Sequence, residues 1–163
     1  MDKRFSYTRD RLEATLFDTV RAILKESHLK QKIQIMALIT YLVEDSETIR
    51  ENLIATLEEI GPVRVIGFAE TESEASSWLA ANDGNWQLAI VDLFLKEGNG
   101  LGVLRNCRNR KDYQKVVVLT NYATYDIRER CMELGADSVF DKSNELDELL
   151  DYCRNFTTSK TLQ

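Results

Sequence analysis

Five residues able to do polar chemistry stand at the ends of apolar runs. Asp92 interrupts the run 88–95 (LAIVDLFL). Glu44 and Asp45 follow 36–43 (MALITYLV), Thr120 closes 115–120 (KVVVLT), and Lys142 follows 138–141 (SVFD). Short apolar runs of this kind fit strands of a parallel sheet buried on both faces. A bare carboxylate inside such a strand is expensive, so Asp92 is expected at the strand's C-terminal tip. In a parallel sheet all those tips share one edge, where open α/β sheets bind ligands. Three acids, a hydroxyl and a lysine therefore converge on one crevice. An oxygen-rich acidic cluster suits a hard divalent cation, and magnesium takes one or two carboxylates together with phosphate oxygens. A lysine and a hydroxyl beside it would hold phosphoryl oxygens, leaving Asp92 as the central candidate for a nucleophile in phosphoryl transfer.

The rest of the chain supplies elements to position these residues. Helical spacing of Ile49, Leu53, Leu57 and Ile60 predicts a helix over 47–60, stopped at Gly61-Pro62. A second strand is expected over 63–69. Thr71 and Glu74 form a capping box for a helix to about 81, with Ala75, Trp78 and Leu79 facing inward. A loop over 82–85, a turn over 96–100, a helix carrying Leu101, Val103 and Leu104, and a helix over 124–134 capped by Gly135 complete the middle of the chain. A last helix is expected from about 144 to 156, with 157–163 as a flexible tail. Strands alternating with helices five times mean an α/β fold: a doubly wound five-stranded parallel sheet.

Composition bounds the function. The chain of 163 residues is long enough for one domain. A formal net charge of −6 argues against general nucleic-acid binding. No apolar run is long enough to span a bilayer and the N-terminus lacks a signal-peptide core, so no membrane partner is expected. Cys107, Cys131 and Cys153 are an odd number without metal-type spacing, which fits reduced thiols and a cytoplasmic location. His28 is the only histidine, which excludes any mechanism needing a histidine pair.

Residues 1–35 differ from the remainder, with eight Lys/Arg against five Asp/Glu, while the remainder has thirteen against twenty-two. Positions 8–29 place Leu12, Leu16, Val20, Ile23 and Leu24 on one side of an amphipathic helix. Residues 1–35 are read as an N-terminal helical extension whose apolar side needs a partner surface, the alternative being a non-native segment upstream of a true start at Met36, and 36–156 as the main domain.

Four motifs carry a resemblance. Residues 43–46 (VEDS), 91–100 (VDLFLKEGNG), 118–120 (VLT) and 135–142 (GADSVFDK) resemble, in order and spacing, the acidic pair, phospho-acceptor loop, hydroxyl strand and lysine segment of the receiver domains of two-component response regulators. The resemblance covers about residues 36–156. It implies a CheY-like fold with strand order 2-1-3-4-5. It also implies that Asp92 accepts a phosphoryl group from a histidine kinase or a histidine phosphotransfer protein. Glu44, Asp45, Asp92 and the backbone carbonyl of Phe94 would hold Mg2+, Asp45 more directly than Glu44, and Thr120 and Lys142 would bind the phosphoryl oxygens. Output would be a changed protein contact or self-association through about residues 123–156, as in a stand-alone regulator that is not an enzyme in its own right. Departures from the family pattern are Lys96 and Ser143 in place of prolines, Val139 in place of a switch aromatic, and Asn121 in place of a small residue. Phe94 and Tyr122 fall at the positions that flank the hydrolytic water in the family, and their bulk implies a long-lived phosphorylated form.

Other readings compete. Asp45 could simply cap the helix starting near Glu47, and Thr120 and Lys142 could be an ordinary strand threonine and surface lysine. Trp78, Trp86 and the phenylalanines read as core, and Glu145, Asp147, Glu148 and Asp151 as a solvated helix face. The chain could be a pseudo-receiver that acts as an interaction module through its N-terminal helix. It could also be a magnesium-dependent phosphatase, although such enzymes carry a second aspartate two residues after the nucleophile, where this chain has Phe94.

Overall fold

A computed structural model describes residues 37–161 and, ahead of them, only Ala22, Ile23, Lys25 and Glu26, which are helical. The remainder of the expected N-terminal helix, Met36 and His28 lie outside the described residues. The main domain runs β1 (Leu38–Val43), α1 (Glu47–Ile60), β2 (Val63–Ala69), α2 (Glu72–Ala81), β3 (Leu88–Val91), α3 (Gly100–Asn106), β4 (Lys115–Thr120), α4 (Tyr125–Glu133), β5 (Ser138–Asp141) and α5 (Leu146–Thr161). The five strands form one parallel sheet in the order β2-β1-β3-β4-β5. This is the doubly wound, CheY-like arrangement expected from the sequence.

Successive apolar residues of β3 and β4 face opposite sides of the sheet, so each strand feeds two cores. Ala89, Val91, Val116 and Val118 join Ala75, Leu79, Val103, Leu104 and Cys131 on the side covered by α2, α3 and α4. Leu88, Ile90, Val117 and Leu119 join Leu53, Leu57, Leu149, Leu150 and Cys153 on the side of α1 and α5. Each fully buried large apolar side chain stabilises the fold by about 1.5–3 kcal/mol. This two-sided burial is why the strands read as continuous apolar runs rather than alternating ones.

Several elements differ in detail from the sequence reading. In α1 the buried residues are Arg50, Leu53 and Leu57, whereas Ile49 and Ile60 are exposed. The inner face is therefore rotated toward Arg50, whose charge meets Glu70 and the Glu44 backbone carbonyl. In α2 the Thr71 hydroxyl accepts from Glu74 N at 3.2 Å, while the Glu74 carboxylate accepts from Glu70 N, one residue before the expected partner. Helix α5 runs to Thr161, past the expected end near 156. Trp86 is core, but Phe68 and Phe94 are exposed, so the phenylalanines do not all serve packing.

Candidate functional site

The sheet reverses its direction of growth between β1 and β3, and the crevice opens at their C-terminal ends. Val43 pairs with Val91 and Val91 with Val118, so Glu44 and Asp92 leave the sheet side by side. Asp92 N donates to Val43 O at 2.9 Å, and Glu44 N donates to Ala69 O at 3.0 Å. Thr120 pairs with Asp141, which puts Lys142 one residue beyond the same edge.

Strand β3 stops at Val91, four residues before the end of the apolar run. The cause is Asp92 itself: its Oδ1 accepts from Leu93 N at 2.6 Å and Phe94 N at 3.4 Å. Those N–H groups are satisfied by a side chain instead of a neighbouring strand, and the chain turns away. Gly100 lets the turn close, since a Cβ there would overlap the Asp92 backbone carbonyl. The Asn99 side chain then caps α3 by accepting from Gly102 N at 3.0 Å.

Asp92 Oδ2 faces the crevice and accepts from Lys142 Nζ at 2.7 Å, and Glu44 Oε2 accepts from the same ammonium at 2.5 Å. Glu44 Oε1 accepts from Ser46 N at 3.1 Å. Glu44 is 2% exposed and Asp92 8% exposed, so the lysine balances two buried carboxylates. Burial lowers the Lys142 pKa, but the hydrogen bonds and charges of Asp92 and Glu44 outweigh it and the net shift is upward, keeping the ammonium charged.

Glu44, Asp45 and Asp92 each offer a carboxylate oxygen within 4.8 Å of the others. Asp45 is half-buried and forms no hydrogen bond or ion pair among the described residues. Nor does it cap α1: Ser46 is the N-cap residue and makes no side-chain cap bond. The Thr120 hydroxyl is fully buried and has no hydrogen-bond partner among the described residues. An unsatisfied hydroxyl costs about 1–3 kcal/mol, a penalty that a ligand oxygen would relieve. Phe94 is exposed, and its ring centroid lies 4.7 Å from that of Tyr122 at an interplanar angle of 54°.

Two features were not foreseen. Arg50 sits on the inner stripe of α1 and binds the Glu44 backbone carbonyl; a charge at the 3–4 spacing of Leu53 and Leu57 was the available signal. Arg128 donates to Ala123 O at 2.9 Å, Val139 O at 2.6 Å and Glu145 Oε2 at 2.7 Å. Glu145 Oε2 also accepts from Asp141 N at 2.7 Å, so this acid ties α4 to the end of β5 and is not part of a solvated face.

A family model for the response regulator receiver domain matches residues 40–154, well over half of the chain. The chain belongs to this family. Receiver domains are signalling domains of two-component systems. Among curated relatives, the photosynthetic apparatus regulatory protein RegA of Cereibacter sphaeroides is 30% identical over 108 residues, 66% of this chain and 56% of RegA. The transcriptional regulatory protein CusR of Escherichia coli K12 is 30% identical over 109 residues, 67% of this chain and 46% of CusR. The chain thus spans about half the length of these relatives. Among solved structures, the response regulator domain of Thermotoga maritima CheB aligns with a TM-score of 0.65 at 19% identity, covering 75% of this chain and 97% of that one. The CheX-CheY-BeF3-Mg+2 complex of Borrelia burgdorferi aligns with a TM-score of 0.61 at 16% identity, covering 71% and 88%. At these identities the structures establish that the receiver shares their fold. Among the described residues no helix is long and apolar enough to cross a membrane.

Proposed function

We propose that this receiver accepts a phosphoryl group on Asp92 from a phosphohistidine of a kinase or phosphotransfer protein. The carrying observation is the Lys142 ammonium bonded to both Glu44 and Asp92, at the same sheet edge as the Thr120 hydroxyl, which has no hydrogen-bond partner among the described residues. Asp92 Oδ2 attacks phosphorus in line, the P–N bond to the donor imidazole breaks, and the released imidazole takes up a proton. Oδ1 stays held by the Leu93 and Phe94 N–H groups, which fixes the carboxylate plane. Lys142 and Thr120 bind the phosphoryl oxygens in place of their present partners or lack of one.

Three carboxylates with oxygens within 4.8 Å of one another, two of these residues already sharing one ammonium, suit a divalent ion. Glu44, Asp45, Asp92 and the Phe94 backbone carbonyl would hold Mg2+, which when bound offsets carboxylate repulsion and charge on the incoming phosphoryl group. Added phosphoryl charge, about −1.5 to −2, then acts on the loops that carry Thr120 and Lys142. These loops meet at Arg128, and output passes through residues 123–156 to a protein partner.

Beryllium trifluoride, a mimic of a carboxylate-bound phosphoryl group, provides the test. With magnesium present, 19F NMR should show a bound species in the wild-type protein and none in Asp92→Asn. Binding that survives the substitution, or none in the wild type with magnesium, contradicts the proposal.

A further inference from the structure

Arg50 is 6% exposed, on the inner face of α1 where Leu53 and Leu57 lead one to expect an apolar residue. A buried guanidinium is costly unless its charge and donors are matched. Here Nη1 donates to the backbone oxygen of Glu44 at 3.1 Å and lies 3.3 Å from Glu70 Oε1. The guanidinium carbon lies 4.1 Å from the centre of the Phe68 ring. Glu70 Oε2 in turn lies 3.6 Å from Lys96 Nζ. One side chain therefore joins the loop after β1 to the loop after β2 and, through Glu70, to the loop after Asp92.

The loop after β1 carries Glu44 and Asp45, two of the three clustered acids. Arg50 is no ligand for a cation, yet it holds the backbone carbonyl of Glu44, one of the clustered acids and the residue before Asp45. Glu70 neutralises its charge locally. We infer that Arg50 is the positioning residue of the divalent-cation site, fixing the Glu44–Asp45 backbone so that both carboxylates can meet a cation beside Asp92. This inference rests on the proposed magnesium site and goes one layer outward from it.

The sign of the effect separates positioning from plain electrostatics. Removing a positive charge beside an acidic cluster should, by Coulomb attraction alone, tighten cation binding. Losing the group that orients the ligands should weaken it, by about tenfold or more for outer-shell partners of metal sites. The experiment is calorimetric titration of the full chain with magnesium, without any phosphodonor, for wild type, Arg50→Met and Arg50→Lys. Thermal melts accompany each sample.

Arg50→Met is expected to bind magnesium about tenfold more weakly. Arg50→Lys keeps the charge but not the planar fork, and should fall between the two. Binding by Arg50→Met as tight as wild type, or tighter, overturns the inference. If the methionine variant does not fold, Arg50→Lys decides: weakened binding supports positioning, and unchanged binding overturns it. A wild-type chain that binds no magnesium would instead overturn the proposed cation site itself.

Discussion

Asp92 divides its two carboxylate oxygens between different tasks. Oδ1 is held by backbone N–H groups, and Oδ2 meets the Lys142 ammonium. An acid arranged in this way has one oxygen fixed and one presented to the crevice. Lys142 matters as much for the resting state as for any ligand, since it offsets Glu44 and Asp92 where both are buried. Phe94 lies two residues after Asp92 and Tyr122 two after Thr120, and their exposed rings pack together with centroids 4.7 Å apart. Rings in contact over an acyl phosphate would obstruct attack by water. The double variant Phe94→Ser/Tyr122→Ser should therefore lose its phosphoryl group faster by about tenfold, a change of about 1.4 kcal/mol in the barrier. Decay of the phosphorylated species followed by intact mass checks this, and an unchanged decay rate would count against the shielding role.

At the scale of elements, the meeting of the five candidate residues on one sheet edge was legible because each stands at or within two residues of a strand's end, and apolar runs mark strand ends plainly. Less legible were contacts made by residues whose type suggested ordinary surface roles. Arg50 could have been read from its place on the buried stripe. Glu145 could not, because nothing local distinguishes it from Asp147 or Glu148. Only the fold brings Arg128 across to it. That pairing, with the Asp141 N–H, holds the Glu145 pKa below the usual glutamate range. The native state thus favours the ionised form. The resulting stability is present above the unfolded-state pKa and is lost as pH falls through the depressed native value. Glu145→Gln should destabilise the domain by about 1 kcal/mol near pH 7, a small figure because both partners are about one-third exposed. The difference from wild type should vanish in acid. Urea unfolding at several pH values measures it, and a pH-independent difference would contradict the ion-pair assignment.

At the scale of the whole molecule, the alternating pattern of strands and helices carried the fold class, since parallel strands need crossovers and right-handed crossovers cover both faces. The sheet order then followed from the resemblance, and the chain's membership of the receiver family agrees with it. What the pattern could not supply was register. The pairing of Val43 with Val91, and of Thr120 with Asp141, brings Glu44 beside Asp92 and sets Lys142 at the same level. Register depends on packing in the two cores, and one residue's slip would turn each strand over. The same geometry fixes the Asp92 backbone against β1 and its Oδ1 on two N–H groups, leaving Oδ2 on the crevice against Lys142. The most direct test incubates the purified chain with acetyl phosphate, with and without magnesium, alongside Asp92→Asn, and reads intact mass. A magnesium-dependent gain of one phosphoryl group in the wild type, absent from the variant, is the expected result. A gain that persists in Asp92→Asn, or no gain in a folded wild-type chain that binds magnesium, would contradict Asp92 as the acceptor.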